Sequence, residues 1–381
     1  DIYVGITSKP NTIPKLLEFD SERYKKLSWK NPTVEIPFPF DADKANASAN
    51  STGDLNIGYE TGLFWDMLTD LAWVIRDRTS ESPLREYDVK AIYLTGWSQS
   101  ACYLFRYVNS FAFRPEVSRG GNVFDGYLSG GGVRNLITPV NQYESLMNYD
   151  YRLMRIEKMP VPFIAVQTES ENGRYDSFRT MRQDSDAPDF MYRLYEVTGA
   201  SHDTTYSYVD YYCNDPDLVR INHLPEYVGL NEEGNNYPSQ ILFAAAYRNL
   251  FNWVRYGYAP EHCERIKVDS DGENRKDAFG NTIGGLRTCL LNYPTGRYSN
   301  TSDVKKGMNF MDPEAETEGL YGFQQAFPAI MLKTLYGSLE NYRKLCREDT
   351  LEQVSKGFVC KEDADELVEI AVSLAKKRGL E

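Results

Sequence analysis

The sequence predicts an α/β fold, a mostly parallel sheet flanked by helices, followed by a mainly helical region. Over residues 1–205 short β-branched or aromatic runs alternate with helical patterns, which is the rhythm of βαβ units and parallel strands. From 206 to 381 that rhythm stops and apolar residues recur at helical spacing instead. The chain has 381 residues, 41% apolar and 13% aromatic, enough to bury a core of enzyme size. The expected organisation is therefore an α/β core over 1–205 and a helical cap or appended region over 206–381 that packs on it.

Each element has its own signal. Ile2-Tyr3-Val4-Gly5-Ile6-Thr7 reads as the first strand. Asp41 to Asp54 is turn-rich and almost free of large apolar groups, so it reads as a surface loop. It carries Asn-x-Ser/Thr triplets at Asn46 and Asn50, and a third stands at Asn300; they matter only in a secreted protein. Leu63, Phe64, Met67, Leu68, Leu71, Ala72 and Ile75 recur at helical spacing and predict a helix over about 60–78 with one face on the sheet. Further strands are read at 91–95, 124–129, 162–167 and 191–197. Ser239 followed by Ile241, Leu242, Ala245, Ala246, Leu250, Trp253 and Val254 reads as a capped amphipathic helix. A turn-rich loop follows through Gly280-Asn281 and Gly284-Gly285. The segment 318–379 reads as helical, with Lys376, Lys377 and Arg378 at its end and Gly379 as its stop.

Charge and composition exclude several classes. Forty-two Lys+Arg stand against 55 Asp+Glu, a formal charge of −13, and no basic stripe is present to release counterions from nucleic acid. The longest apolar run, Ile241 to Tyr247, is far short of the roughly 20 residues of a membrane helix. The six cysteines (102, 213, 263, 289, 346, 360) lack zinc spacing, and buried free thiols are the expected state, with one bridge among Cys213, Cys263 and Cys289 as the alternative. No cofactor is implied: Gly130-Gly131-Gly132 lacks the Lys-Ser/Thr that a phosphate cradle needs.

The chemistry concentrates where the strand Ala91 to Thr95 runs into Gly96-Trp97-Ser98-Gln99-Ser100-Ala101 and then into a helical pattern. A sharp strand-to-helix turn of this kind lifts a serine hydroxyl off the sheet edge and aims the helix N-terminus at a developing oxyanion. Ser98 is the candidate nucleophile and the Gln99 backbone N–H the candidate oxyanion donor, with Ser100 where the G-x-S-x-G pattern has its second glycine. A serine needs a base. Of the three histidines, His202 follows a strand in Val197-Thr198-Gly199-Ala200-Ser201-His202-Asp203, at the strand end where α/β sheets place their sites; His223 and His262 lie in the second half. The base needs a carboxylate. The strand Phe163 to Val166 runs into Gln167-Thr168-Glu169-Ser170-Glu171, which offers Glu169 and Glu171, with Asp125 a weaker third. Trp97 and Tyr206 are the expected substrate contacts, and Tyr206, Tyr208, Tyr211 and Tyr212 read either as an aromatic lid or as loop packing.

Together with Tyr3 to Pro10, Arg23-Tyr24, Asp125-Gly126-Tyr127, Gly280-Asn281 and Gly284-Gly285-Leu286-Arg287, these motifs make the chain resemble the uncharacterised "alpha/beta hydrolase domain" proteins of bacteria and fungi, over nearly its whole length. The resemblance implies an α/β-hydrolase fold and a serine hydrolase with Ser98, His202 and an acid in the Thr-Glu-Ser-Glu turn, in the chain order of that fold. The family pattern favours Glu169; a count along the ordinary hydrolase turn favours Glu171. The expected reaction is cleavage of a small-molecule carboxylic ester through an acyl-enzyme. Acyl transfer, amide or peptide cleavage on the same triad, and an inactive binding protein on this fold are the competing readings. The resemblance also implies β-strands ahead of Tyr3, including the one whose loop gives a second oxyanion donor. The N-terminal strands are thus expected to be missing from this chain, and a separate N-terminal segment completing the sheet is the partner this implies.

Overall fold

A computed structural model describes residues 1–32, 59–132, 138–141, 151–172, 182–222, 232–303 and 317–381. The loop expected at 41–54, with Asn46 and Asn50, and His223 lie outside these residues. Five strands form the main sheet: β1 (Tyr93–Trp97), β2 (Gly126–Gly130), β3 (Met159–Thr168), β4 (Ser185–Ala187) and β5 (Phe190–Val197). Their spatial order is β1-β2-β3-β5-β4, with β1, β2, β3 and β5 parallel and β4 antiparallel at the edge. Helices flank the sheet on both faces: α1 (Leu63–Arg76), α2 (Gln99–Tyr107), which makes the crossover from β1 to β2, α3 (Ser239–Tyr256), α4 (Ala329–Tyr336), α5 (Leu339–Ser355) and α6 (Ala364–Lys377).

Side-chain alternation along the strands divides the core in two. Tyr127, Phe163 and Tyr192 stand side by side across β2, β3 and β5, and pack with Phe64, Trp65 and Phe105 of α1 and α2. Leu128, Ile164 and Val166 point the other way, into a cluster with Leu250 of α3, Leu332 of α4 and Leu367 of α6. The helices after residue 206 therefore pack on one face of the sheet. Three-stranded pairing of Glu233–Gly234, Phe323–Ala326 and Gly296–Ser299 adds a small antiparallel sheet to this region, so the segment expected to be helical from 318 opens with β-structure. Gly257 and Gly379, both at positive φ, close α3 and α6.

Three further elements differ from the sequence reading. Residues 2–7 form no strand. A strand needs a ladder partner, and none of the described residues pairs with this segment, which leaves Ile2, Tyr3 and Val4 exposed. Ser239 opens α3 without its side chain capping it, since Pro238 occupies the cap position. On α1 the buried stripe is rotated: Leu63 and Met67 are exposed, while Trp65 and Trp73 turn inward and donate their indole N–H groups to the carbonyls of Val140 (2.7 Å) and Val117 (3.0 Å).

All six cysteines are free thiols, five of them buried. No helix among the described residues is long and apolar enough to cross a membrane.

Candidate active site

At the carboxyl end of β1 the chain reverses into α2 through Ser98, whose φ of 55° and ψ of −118° a non-glycine residue rarely holds. The turn is tight enough that a Cβ at Gly96 would lie 2.5 Å from the carbonyl of Ser100, so only glycine fits there. Ser100 itself is exposed, which is why a hydroxymethyl group is accommodated where the motif has glycine. The Ser98 carbonyl accepts the first helical bonds of α2, from Ala101 (3.0 Å) and Cys102 (3.2 Å), and its N–H donates to Gly130 at the end of β2 (2.8 Å). Ser98 is thereby tied to two strand ends, at the start of a helix whose dipole favours negative charge. Gln99 is the first residue of that helix.

Two strands away, β3 ends in a single 3₁₀ turn, Glu169–Glu171. Each side chain of Thr168-Glu169-Ser170-Glu171 has a different partner. Thr168 and Glu171 form a reciprocal cap, in which Glu171 Oε2 accepts from the Thr168 N–H (2.6 Å) and hydroxyl (2.8 Å). The Ser170 hydroxyl accepts from the backbone N–H of His202 (2.9 Å) and donates to the Asn300 carbonyl (3.0 Å). Glu171 Oε1 lies 2.5 Å from His202 Nδ1. Both residues are 5% exposed. A carboxylate in its ionised form only accepts, so this pairing favours the tautomer with its proton on Nδ1 and its lone pair on Nε2.

Glu169 does not face the imidazole. It is fully buried, and its Oε2 accepts from the Gly199 N–H (2.8 Å) while Oε1 takes Lys276 Nζ (2.9 Å) and the Thr282 hydroxyl. The preference for Glu169 is corrected on geometry: Glu171, the alternative, points at the ring, and Glu169 is a buried anchor for the turn that carries it. The capping pattern Thr-x-x-Glu was the signal for this, because the cap folds the Glu171 side chain back over the strand end. Asp125 is at the opposite end of its strand, held by Arg76 (2.8 Å) and the Ile92 N–H (2.7 Å). His262 has a half-exposed side chain beside Asp184 (3.3 Å) in the β4 region.

The imidazole of His202 stacks on Trp97, with ring centroids 4.8 Å apart, and Trp97 meets Phe243 of α3 edge-on at 5.3 Å. The two rings fit because of Gly131. Its φ is +55°, and a Cβ there would sit 2.8 Å from Trp97 and 2.9 Å from His202 Cε1. The triple-glycine run thus makes room for the histidine next to the serine turn, a role its sequence did not reveal. Tyr206 is 43% exposed four residues beyond His202, whereas Tyr208 is buried edge-on against Tyr321 at 4.9 Å. The Asn300 side chain is also in use, donating to the Glu169 carbonyl (3.2 Å). Among the described residues no group of three or more His, Cys, Asp or Glu is arranged to hold a metal ion.

A family model described as alpha/beta hydrolase domain matches residues 1–369. No curated protein and no solved structure gives a match.

Proposed function

The chain belongs to the alpha/beta hydrolase domain family, and from that premise we propose that it is a serine hydrolase cleaving a carboxylic ester, with Ser98 as nucleophile, His202 as base and Glu171 as acid. Membership in the family supports hydrolase activity. The observation that carries the finer reading is the imidazole, held between Glu171 and Trp97, the residue before a serine held at positive φ.

In the proposed cycle His202 Nε2 takes the proton of Ser98 Oγ as that oxygen attacks the ester carbonyl. The negative charge moves onto the carbonyl oxygen, which the Gln99 N–H and the N-terminus of α2 stabilise. The tetrahedral intermediate collapses, the C–O bond to the alcohol breaks, and the imidazolium gives its proton to the departing alkoxide. Water then repeats the sequence on the acyl-serine: His202 removes its proton, the acid is released, and Ser98 recovers its hydroxyl hydrogen. Glu171 stays ionised throughout and stabilises the imidazolium. Of the expected substrate contacts, Tyr206 presents an accessible ring, whereas the Trp97 ring packs on His202 and Phe243.

Ser98→Ala tests the assignment. We expect hydrolysis of a p-nitrophenyl ester to fall by at least about a thousandfold in a protein with the wild-type circular dichroism spectrum, and fluorophosphonate labelling to disappear. Near-normal turnover by the folded variant would refute the nucleophile.

A further inference from the structure

Beside the serine turn, Lys9 Nζ donates to the side-chain oxygen of Gln99, joining the N-terminal segment to the first residue of α2. The lysine backbone is itself pinned, its carbonyl accepting from the Thr12 hydroxyl at 2.7 Å. A buried ammonium is costly unless a counter-charge or water receives it. Among the described residues no carboxylate pairs with Lys9; the titratable group that faces it is the thiol of Cys102, wholly buried on α2 one turn beyond Ser98. A half-buried cation that no carboxylate of the described residues pairs, tied to the residue that follows the nucleophile, is placed where negative charge would develop during acyl transfer.

We propose that Lys9 is a positioning residue for the oxyanion site: through Gln99 it holds the first turn of α2 and sets a positive charge beside the N–H that receives the acyl oxygen. This rests on the serine-hydrolase reading above. Burial lowers the Lys9 ammonium from 10.5 to about 8, so its charge is present below that pH and lost above it.

The test is ester hydrolysis by wild type, Lys9→Met and Lys9→Arg over roughly two pH units either side of 8, corrected for spontaneous hydrolysis. Wild-type kcat should fall as the pH passes about 8. Lys9→Met should lower kcat about ten- to a hundredfold at neutral pH, leave KM within about twofold, and abolish the alkaline fall. Lys9→Arg, which keeps its charge, should retain most of the neutral activity and lose the fall from this range. Wild-type kcat in Lys9→Met, or an alkaline fall that persists in it, overturns the proposal. Should Lys9→Met not fold, Lys9→Arg against Lys9→Gln makes the same comparison of charge kept and charge removed, and equal activity of the two overturns it. Fluorophosphonate labelling of the wild type separates the two levels: labelled Ser98 with an indifferent Lys9 refutes the lysine alone, and absence of label refutes the hydrolase reading.

Discussion

Glu169 and Glu171 stand two residues apart in one 3₁₀ turn, and the same substitution at each should have opposite consequences. In Glu171→Gln an amide replaces a carboxylate that accepts from Thr168 on one oxygen and from His202 Nδ1 on the other. One side then carries an NH₂ group, which either breaks the cap or faces Nδ1 and forces the wrong tautomer. We expect kcat to fall by about a thousandfold or more, with slow but detectable labelling of Ser98. In Glu169→Gln the imidazole keeps its partner, while the bonds to Gly199, Lys276 and Thr282 are weakened. The expected cost is about 1–3 kcal/mol of stability, read as a lower urea midpoint, with kcat changed far less. Two active variants would mean that neither glutamate serves as the acid.

Helix α3 shows how an apolar pattern becomes a wall of the site. Its buried positions Ile241, Leu242, Ala245, Ala246, Leu250 and Trp253 lie on one stripe, as their spacing predicts, and the same helix carries Phe243 to the edge of Trp97. Leu250 is fully buried, and its Cδ1 would lie 3.0 Å from a Cβ at Gly126, so side chain and glycine fill one space. Leu250→Ala should cost about 2–5 kcal/mol, because the packed sheet beneath cannot close around the cavity. Chemical denaturation at unchanged slope is the measurement; a loss below about half a kcal/mol would show that the helix does not depend on this contact. The α1 stripe teaches the converse. Tryptophans at 65 and 73 could be assigned to neither face by spacing alone, and the carbonyls that receive their N–H groups decided it.

Taken as one molecule, the region 206–381 supplies the cover for one side of the sheet. Val166 and Ile164 of β3 share a cluster with Leu332, Leu367 and Leu250, so this face of the sheet is buried against residues of 206–381. Far- and near-ultraviolet circular dichroism should therefore report coincident thermal transitions. Two separated midpoints would mean that 206–381 is stable on its own. The site depends on the same union. Segment 282–286 lies along the end of β5, with Leu286 exchanging backbone bonds with Glu196 (2.6 Å) and Thr198 (3.1 Å), and Thr282 reaches Glu169 under the histidine turn.

The parallel sheet, the order of its strands along the chain, and the serine turn were legible in the sequence because local rules produce them. Short β-branched and aromatic runs make strands, and a strand, a small-residue turn and a helix in succession make the elbow around Ser98. The position of His202, just beyond a strand end and after the serine in the chain, was legible for the same reason. Residues far apart in sequence settled the rest. Whether Glu169 or Glu171 meets the imidazole depends on the distant Gly199, Lys276 and Thr282 claiming the first, and only the turning back of the second by Thr168 is local. Whether residues 2–7 become a strand depends on a neighbour's hydrogen bonds, which no local run of side chains can supply. The link from Lys9 to Gln99 and the space that Gly131 leaves for His202 are contacts across about ninety and seventy residues. Spacing encodes which face of an element is apolar, but only packing decides which polar group meets which.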